Sequence, residues 1–170
     1  MRPLARVAAV ALSLLLSAIV VVSVNDRRAE ADEQATVVRV VDGDTIQVSL
    51  PTGLEKIRLI GVDTPESVHP RKPIEYFAKE AAAFTRRMVM GKPVRLAGEN
   101  GQPNRDRYSR LLRYVFLEDG TCLNVELIRQ GFGHAYVKFP FARMEEFRRY
   151  EREAREAGRG LWGAKTGVPE

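Results

Sequence analysis

The 170-residue chain has one cysteine, one tryptophan and two histidines. A lone cysteine, Cys122, excludes an intramolecular disulfide, so the fold must stand on its apolar core. In "TCLNVEL" it reads as a small buried residue. With so few Cys and His residues, the chain also has no zinc-type ligand cluster. His69 sits in a proline-rich loop and His134 follows a Gly-Phe-Gly turn, so neither is put forward for direct chemistry. No internal repeat is present. Excess charge of one sign is slight as well. The net charge is +5; residues 1–31 hold four arginines and two acids, which leaves 23 basic and 20 acidic residues in the remainder. A net +3 permits a polyanionic partner without demanding one.

The apolar residues are distributed unevenly. Arg2 and Arg6 precede an unbroken apolar and small-residue run from Val7 to Val24. A positive flank before an apolar core is the pattern of an export signal, and this run also approaches the length that spans a bilayer. Ala29-Glu30-Ala31 offers a small-x-small cleavage site. Signal peptide and retained membrane anchor both stay open, and both place the rest outside the cytoplasm. Residues 1–31 are assigned to this segment and 34–165 to a separate folded domain, with "NDRRAEADEQ" (25–34) as a charged linker.

Within that domain, "ATVVRVV" and "DTIQVSL" flank Asp42-Gly43, a hairpin signal. "PTGL" is a second turn and "EKIRLIGV" a third strand, with Ile57, Leu59 and Gly61 on one face and Arg58 and Ile60 on the other. "DTPESVHPRKP" carries three prolines and is read as irregular. Ile74, Phe77, Ala81, Phe84 and Met88 predict an amphipathic helix over 74–90, stopped by Gly91 and Pro93. "PVRLAG" and "RLLRYVFL" are strands four and five. "LNVELIRQG" and "FARMEEFRRYEREAREAG" are helices, and Leu161 and Trp162 form a terminal apolar anchor. Three strands, a helix, two strands and two helices predict an α+β fold, mainly β: a five-stranded barrel of the OB type with three helices.

Two acids around one glycine in "VVDGDTIQV" exceed what a turn needs. Asp44 beside the first turn and Asp63 past the third strand lie on neighbouring strands about 5 Å apart, so they can converge at one barrel end. Two hard carboxylates suit Ca²⁺ or Mg²⁺ rather than zinc. Arg58 and Arg110 provide two guanidinium forks for a phosphate. Glu66, three residues past Asp63, can orient or deprotonate water. Arg105 and Arg107 flank this set as solvated charges that can also guide a polyanion.

The ordered set "VVDGDTIQV", "IRLIGVDTPES", "HPRKPIEYFAKEAAAFTRRM", "DRYSRLLRYV", "NVELIRQGFGHAYV" and "GLW" resembles the staphylococcal nuclease family from about Thr36 to Trp162. The resemblance implies a calcium-dependent nuclease acting on DNA and RNA, with single strands preferred, that leaves 3′-phosphate ends. It implies Ca²⁺ ligation by Asp44, Asp63 and the Thr64 carbonyl, with Asp42 and Thr45 beside the ligands. It implies Glu66 as general base and Arg58 and Arg110 as phosphate-binding catalytic residues. Tyr108 and Tyr136, with Arg107, are the substrate-binding candidates. It implies no protein partner, and a monomer is the default. Three departures stand out. Ser109 replaces a frequent glycine before Arg110, Lys138 stands where a second pocket tyrosine is found, and Pro73 replaces a loop glycine. The competing function is a non-catalytic nucleic-acid- or protein-binding module, or a membrane-tethered scaffold. Retention of Asp44, Asp63, Glu66, Arg58 and Arg110 favours the enzyme.

Overall fold

A computed structural model describes residues 33–66 and 73–163. The expectations for the apolar run at 7–24, for His69 and for the last residues of the 34–165 domain lie outside the described residues. Among the described residues, no helix is long and apolar enough to cross a membrane.

The elements follow the expected order. Strands β1 (Glu33–Val40), β2 (Thr45–Leu50) and β3 (Gly53–Leu59) meander antiparallel. A two-residue strand β4 (Val62–Asp63) and helix α1 (Ala78–Val89) come next. Strands β5 (Pro93–Ala97) and β6 (Leu111–Phe116) precede helix α2 (Leu123–Arg129). A second two-residue strand β7 (His134–Ala135), helix α3 (Met144–Glu156) and a 3₁₀ turn at Gly160–Trp162 complete the chain. The order β1-β2-β3-β6-β5 closes into a barrel, β5 returning to β1. This is the five-stranded barrel with three helices read from the sequence.

The interior is filled by residues that alternate inward along the strands. Ile46, Val48, Ile57, Val62, Leu96 and Val115 are all fully buried, each worth about 1.5–3 kcal/mol against exposure. Leu123, Leu127 and Ile128 of α2 are also fully buried, as their spacing predicts. Cys122 is buried, but it has a polar neighbour: Arg143 Nη1 lies 3.3 Å from its Sγ. The charged outer face of α3 carries ion pairs three and four residues apart, such as Arg155–Glu151 and Arg148–Glu145.

Three expectations need correction. Strand β1 begins at Glu33, inside the predicted linker, because its first residues pair through backbone with β5 (Glu33↔Leu96) and need no apolar side chains for that. The first helix starts at Ala78, not Ile74. Phe77 takes a left-handed φ of 68°, the Glu75 amide is engaged by the Glu66 carbonyl at 3.1 Å, and Ile74 is exposed. The third strand ends at Leu59, and Ile60 is buried rather than facing away. Gly61, at φ +71°, turns the chain there, where a Cβ would lie 2.6 Å from the Phe141 ring. After that turn β4 pairs with β7 (Val62↔Ala135, Asp63↔His134), a small ladder the pattern did not announce.

The barrel has one parallel join, β3 to β6. Asn124 of α2, fully buried, spans it. Its Nδ2 donates to the carbonyls of Ile60 (2.9 Å) and Arg113 (3.2 Å), and its Oδ1 accepts from the Val115 amide (3.0 Å). With both ends of its amide satisfied, a buried polar side chain stabilises and specifies the seam instead of costing stability.

Candidate active site

The loop between β1 and β2 is wider than a two-residue Asp-Gly turn. Both Val41 and Asp42 amides donate to the Thr45 carbonyl, at 2.9 and 3.2 Å. Gly43 is not in the left-handed region, so its backbone angle does not explain it. A Cβ there would lie 2.7 Å from Thr64 Oγ1 and 2.8 Å from Thr64 Cβ. Glycine therefore allows the loop to press directly on the segment that follows β4. The Gly43 carbonyl also accepts from Thr85 Oγ1 of α1 at 2.6 Å, in a buried contact.

This approach brings the acids together. Asp44 is buried, at 6% exposure. Its Oδ2 accepts from the Thr64 amide at 2.9 Å and lies 3.2 Å from Arg58 Nη2. Its Oδ1 accepts from Thr45 Oγ1 at 3.1 Å. The same Arg58 Nη2 donates to Asp63 Oδ1 at 3.0 Å. One guanidinium nitrogen thus touches both carboxylates. Arg58 itself is fixed by Nη1 donation to the Leu59 (2.9 Å) and Val62 (2.5 Å) carbonyls. Asp42 joins through Oδ1, which accepts the Asp44 amide at 3.2 Å.

The cluster holds more negative charge than Arg58 balances. Burial, the Asp44 charge and its hydrogen bond, and the Glu66 charge push the Asp42 carboxyl up to about 7. Burial also pushes Asp63 up, helped by Asp44, against the pull of Arg58. Two carboxyls that resist ionisation beside buried Asp44 are what a bound cation would relieve. Among the described residues, no three of His, Cys, Asp and Glu converge as a ready-made ligand set. Asp44 and Asp63 therefore need backbone oxygen and water to complete a shell, which is the habit of hard divalent cations and not of zinc. The donor set fits such an ion.

Arg110 stands just before β6 and is held on three sides. Its Nε and Nη2 contact Asp106 Oδ2, both at 2.7 Å. Its Nη1 donates to Thr45 Oγ1 at 3.1 Å, which links it through Thr45 to Asp44. Its guanidinium carbon lies 5.3 Å from the centre of the Tyr108 ring. Asp106 Oδ1 collects the Tyr108 and Arg110 amides as well, at 2.9 and 3.0 Å. Burial opposes ionisation of Asp106, but these hydrogen bonds from Arg110 and Tyr108 hold it below the usual carboxylate range. Ser109 between them has φ +61°, a left-handed conformation that costs a side-chain-bearing residue about 1 kcal/mol or more and glycine almost nothing.

Arg58, Asp63, Arg110, Tyr108, Tyr136 and Phe139 face a common cleft of about 610 Å³. Arg107 lines it too, its Nη2 donating to the Tyr108 hydroxyl at 2.7 Å. Lys138 also lines the cleft. The ring surface expected to be lost at Lys138 is supplied next door, where Phe139 is 57% exposed with its ring 6.1 Å from that of Tyr136. Glu66 lies partly buried just after Pro65, its amide donating to Glu75 Oε2 at 3.0 Å. His134 stands across from Asp63 and pairs with Glu151 at 3.3 Å.

Asp42, Asp44, Thr45, Arg58, Asp63 and Thr64 thus meet in one cluster, Arg107, Tyr108, Arg110 and Tyr136 line the cleft beside it, and Glu66 is linked to the cluster through its charge, which acts on Asp42. Sequence reasoning missed Asp106, Thr85 and Phe139. Asp106 had a usable signal, being four residues before Arg110 in a turn-forming stretch. Thr85 had a weaker one, a hydroxyl on the apolar face of α1.

The profile of the family described as Staphylococcal nuclease homologue matches residues 56–164. The chain is 37% identical to the thermonuclease of Staphylococcus hyicus over 134 residues, 78% of each protein. It is 42% identical to the thermonuclease of Staphylococcus intermedius over 103 residues, 61% of this chain and 60% of that one. It is 32% identical to Endonuclease YhcR of Bacillus subtilis over 151 residues, 84% of this chain but 12% of that much longer protein.

Proposed function

The chain belongs to the staphylococcal nuclease family, and from that premise we propose that it is a metal-dependent nuclease. Its reaction is hydrolysis of phosphodiester bonds in DNA and RNA, with Ca²⁺ as the ion and 3′-phosphate ends as product. The observation that carries this reading is the single Arg58 nitrogen in contact with both Asp44 and Asp63. That contact supports a cation site and a phosphate-binding guanidinium side by side.

Asp44, Asp63 and the Thr64 carbonyl would hold the ion, with Asp42 and Thr45 shaping the ligands from behind. Once bound, the ion supplies charge neutralisation and Lewis-acid polarisation of a phosphoryl oxygen. Arg58 and Arg110 bind two further oxygens of the same phosphate and stabilise the charge that builds on them. Glu66 takes a proton from the attacking water. The Thr64 amide and Thr45 hydroxyl keep Asp44 oriented throughout. Tyr108, Tyr136 and Arg107 receive the neighbouring nucleoside. A cleft lined with rings and cations favours unpaired bases, which expose a face for stacking.

The 34–165 domain is the catalytic unit. Arg2, Arg6 and the apolar run at 7–24 support an extracytoplasmic location, as a secreted or a tethered enzyme. Membrane fractionation of the full-length chain, with N-terminal sequencing of the soluble product, separates those two fates.

The decisive experiment incubates the full-length chain with single-stranded DNA, with calcium or with chelator, beside Glu66→Gln. Cleavage that requires both calcium and Glu66 is expected, with turnover of the variant lower by about two to four orders of magnitude. Binding without cleavage under every divalent metal would replace the enzyme with a nucleic-acid-binding module.

A further inference from the structure

Arg105 and Glu55 lie outside the catalytic set, yet they join its two halves. Arg105 forks onto Glu55 of β3, with Nη1 to Oε2 at 2.9 Å and Nη2 to Oε1 at 2.8 Å. The same Nη1 donates to the Ser109 carbonyl at 2.8 Å. Glu55 is on the strand that carries Arg58, three residues later. Ser109 immediately precedes Arg110. Planar, two-pronged pairing of this kind fixes position as well as supplying attraction.

The need for such a fixing is visible in the backbone. Ser109 is one of two non-glycine residues among those described with positive φ. A strained residue persists only when its surroundings hold it there. The Ser109 amide is held by the Asp106 carbonyl at 3.0 Å, and its carbonyl by Arg105. If the carbonyl is released, the peptide between Ser109 and Arg110 is held only through the Arg110 amide, by Asp106 Oδ1 at 3.0 Å. Arg110 then loses its aim relative to Arg58.

We propose that the Glu55–Arg105 pair is a positioning device: it clamps the Ser109 carbonyl and so sets the placement of Arg110 against Arg58. Neither Glu55 nor Arg105 touches the reacting phosphate in this role. The proposal rests on the nuclease reading, in which those two arginines grip one phosphate. Arg105 lines the cleft, so direct contact with the nucleic acid is the rival, and the two make opposite predictions for Glu55→Gln. Positioning requires turnover to fall. Direct contact frees Arg105 for the polyanion, so KM falls and turnover holds.

The test compares full-length wild type, Glu55→Gln, Arg105→Lys, and each combined with Ser109→Gly. Both single variants are expected to lose about tenfold in kcat, with KM within about twofold of wild type. Lysine fails because one ammonium cannot serve both Glu55 oxygens and the carbonyl in a planar fork. Ser109→Gly, which adopts the left-handed angle unaided, should restore kcat to within about threefold. A merely structural pair would lower the melting temperature and leave kcat and the rescue unmoved. Unchanged kcat in Glu55→Gln, or a fall in KM alone, overturns the proposal. Amide exchange at Tyr108 and Arg110, read without substrate, separates its failure from that of the nuclease reading. Faster exchange in Glu55→Gln with an inactive wild type retains the clamp and sinks the nuclease. Unchanged exchange sinks the clamp whatever the activity.

Discussion

The two sides of the site are built differently. On the carboxylate side, residues 41–45 against 62–64, Asp42 to Thr45 are buried, Asp63 is exposed, and the strands fix the backbone. Strand register places Thr45 opposite Arg58, β4 is anchored by β7, and Gly43 packs against Thr64 with no room for a methyl group. The arginine side, residues 105–110, is a loop with Tyr108 largely exposed. Beyond its own turn hydrogen bonds it is held by side chains: Asp106 on Arg110, Arg105 on Ser109, and Glu55 on Arg105. The barrel itself fixes the end that must gather like charges. Ion pairs at its rim help to fix the arginine end. Repelling carboxylates cannot be left to adjustable contacts.

Substitutions can break this contrast at several strengths. Arg58→Ala should do the most damage, because buried Asp44 and exposed Asp63 would face each other with no cation. A loss of about 3 kcal/mol in unfolding free energy is expected by denaturant titration, largely recovered by added calcium. Gly43→Ala acts on shape alone. Its methyl group must displace Thr64, and about 1–3 kcal/mol of stability should be lost, with weaker calcium binding by calorimetry. Asp106→Asn tests the other side. It leaves the loop two amide contacts but removes the negative charge that faces Arg110, so kcat should fall about tenfold while the melting temperature hardly moves. An equal loss of stability in that variant would erase the distinction between the two sides. Ser109→Gly is the mildest: relief of the left-handed strain is set against the greater freedom of glycine in the unfolded chain, and a net gain of under about 1 kcal/mol is expected in a thermal melt.

Much of this was legible in the sequence, and the failures have physical causes. The barrel strands were readable because half-buried strands alternate and turns need Asp-Gly or Pro-Thr-Gly. Asp44, Asp63 and Arg58 were readable because strand adjacency constrains where they can go. The β4–β7 ladder was hidden because two-residue strands have no periodicity. Ile60 was misassigned because alternation was carried across Gly61, where the backbone turns. The helix start was misplaced because Ile74 and Phe77 fit a helical spacing that the left-handed Phe77 interrupts. Gly43 was credited to turn geometry, when its reason is contact with a residue 21 positions later. Phe139 was passed over because Lys138 was judged at its own position, and a neighbouring ring fills the space only in three dimensions.

The parallel seam between β3 and β6 also sets an order in time. Its partners are separated by α1 and β5, and contacts so distant along the chain form late. A growing chain that has reached residue 100 already contains Asp44, Arg58, Asp63 and Glu66. It lacks Arg110, Asn124 and the strand that closes the barrel. A site that needs Arg110 and the closed barrel therefore cannot assemble on the first 100 residues. For a nuclease, that order withholds the second arginine until β6 begins to be made.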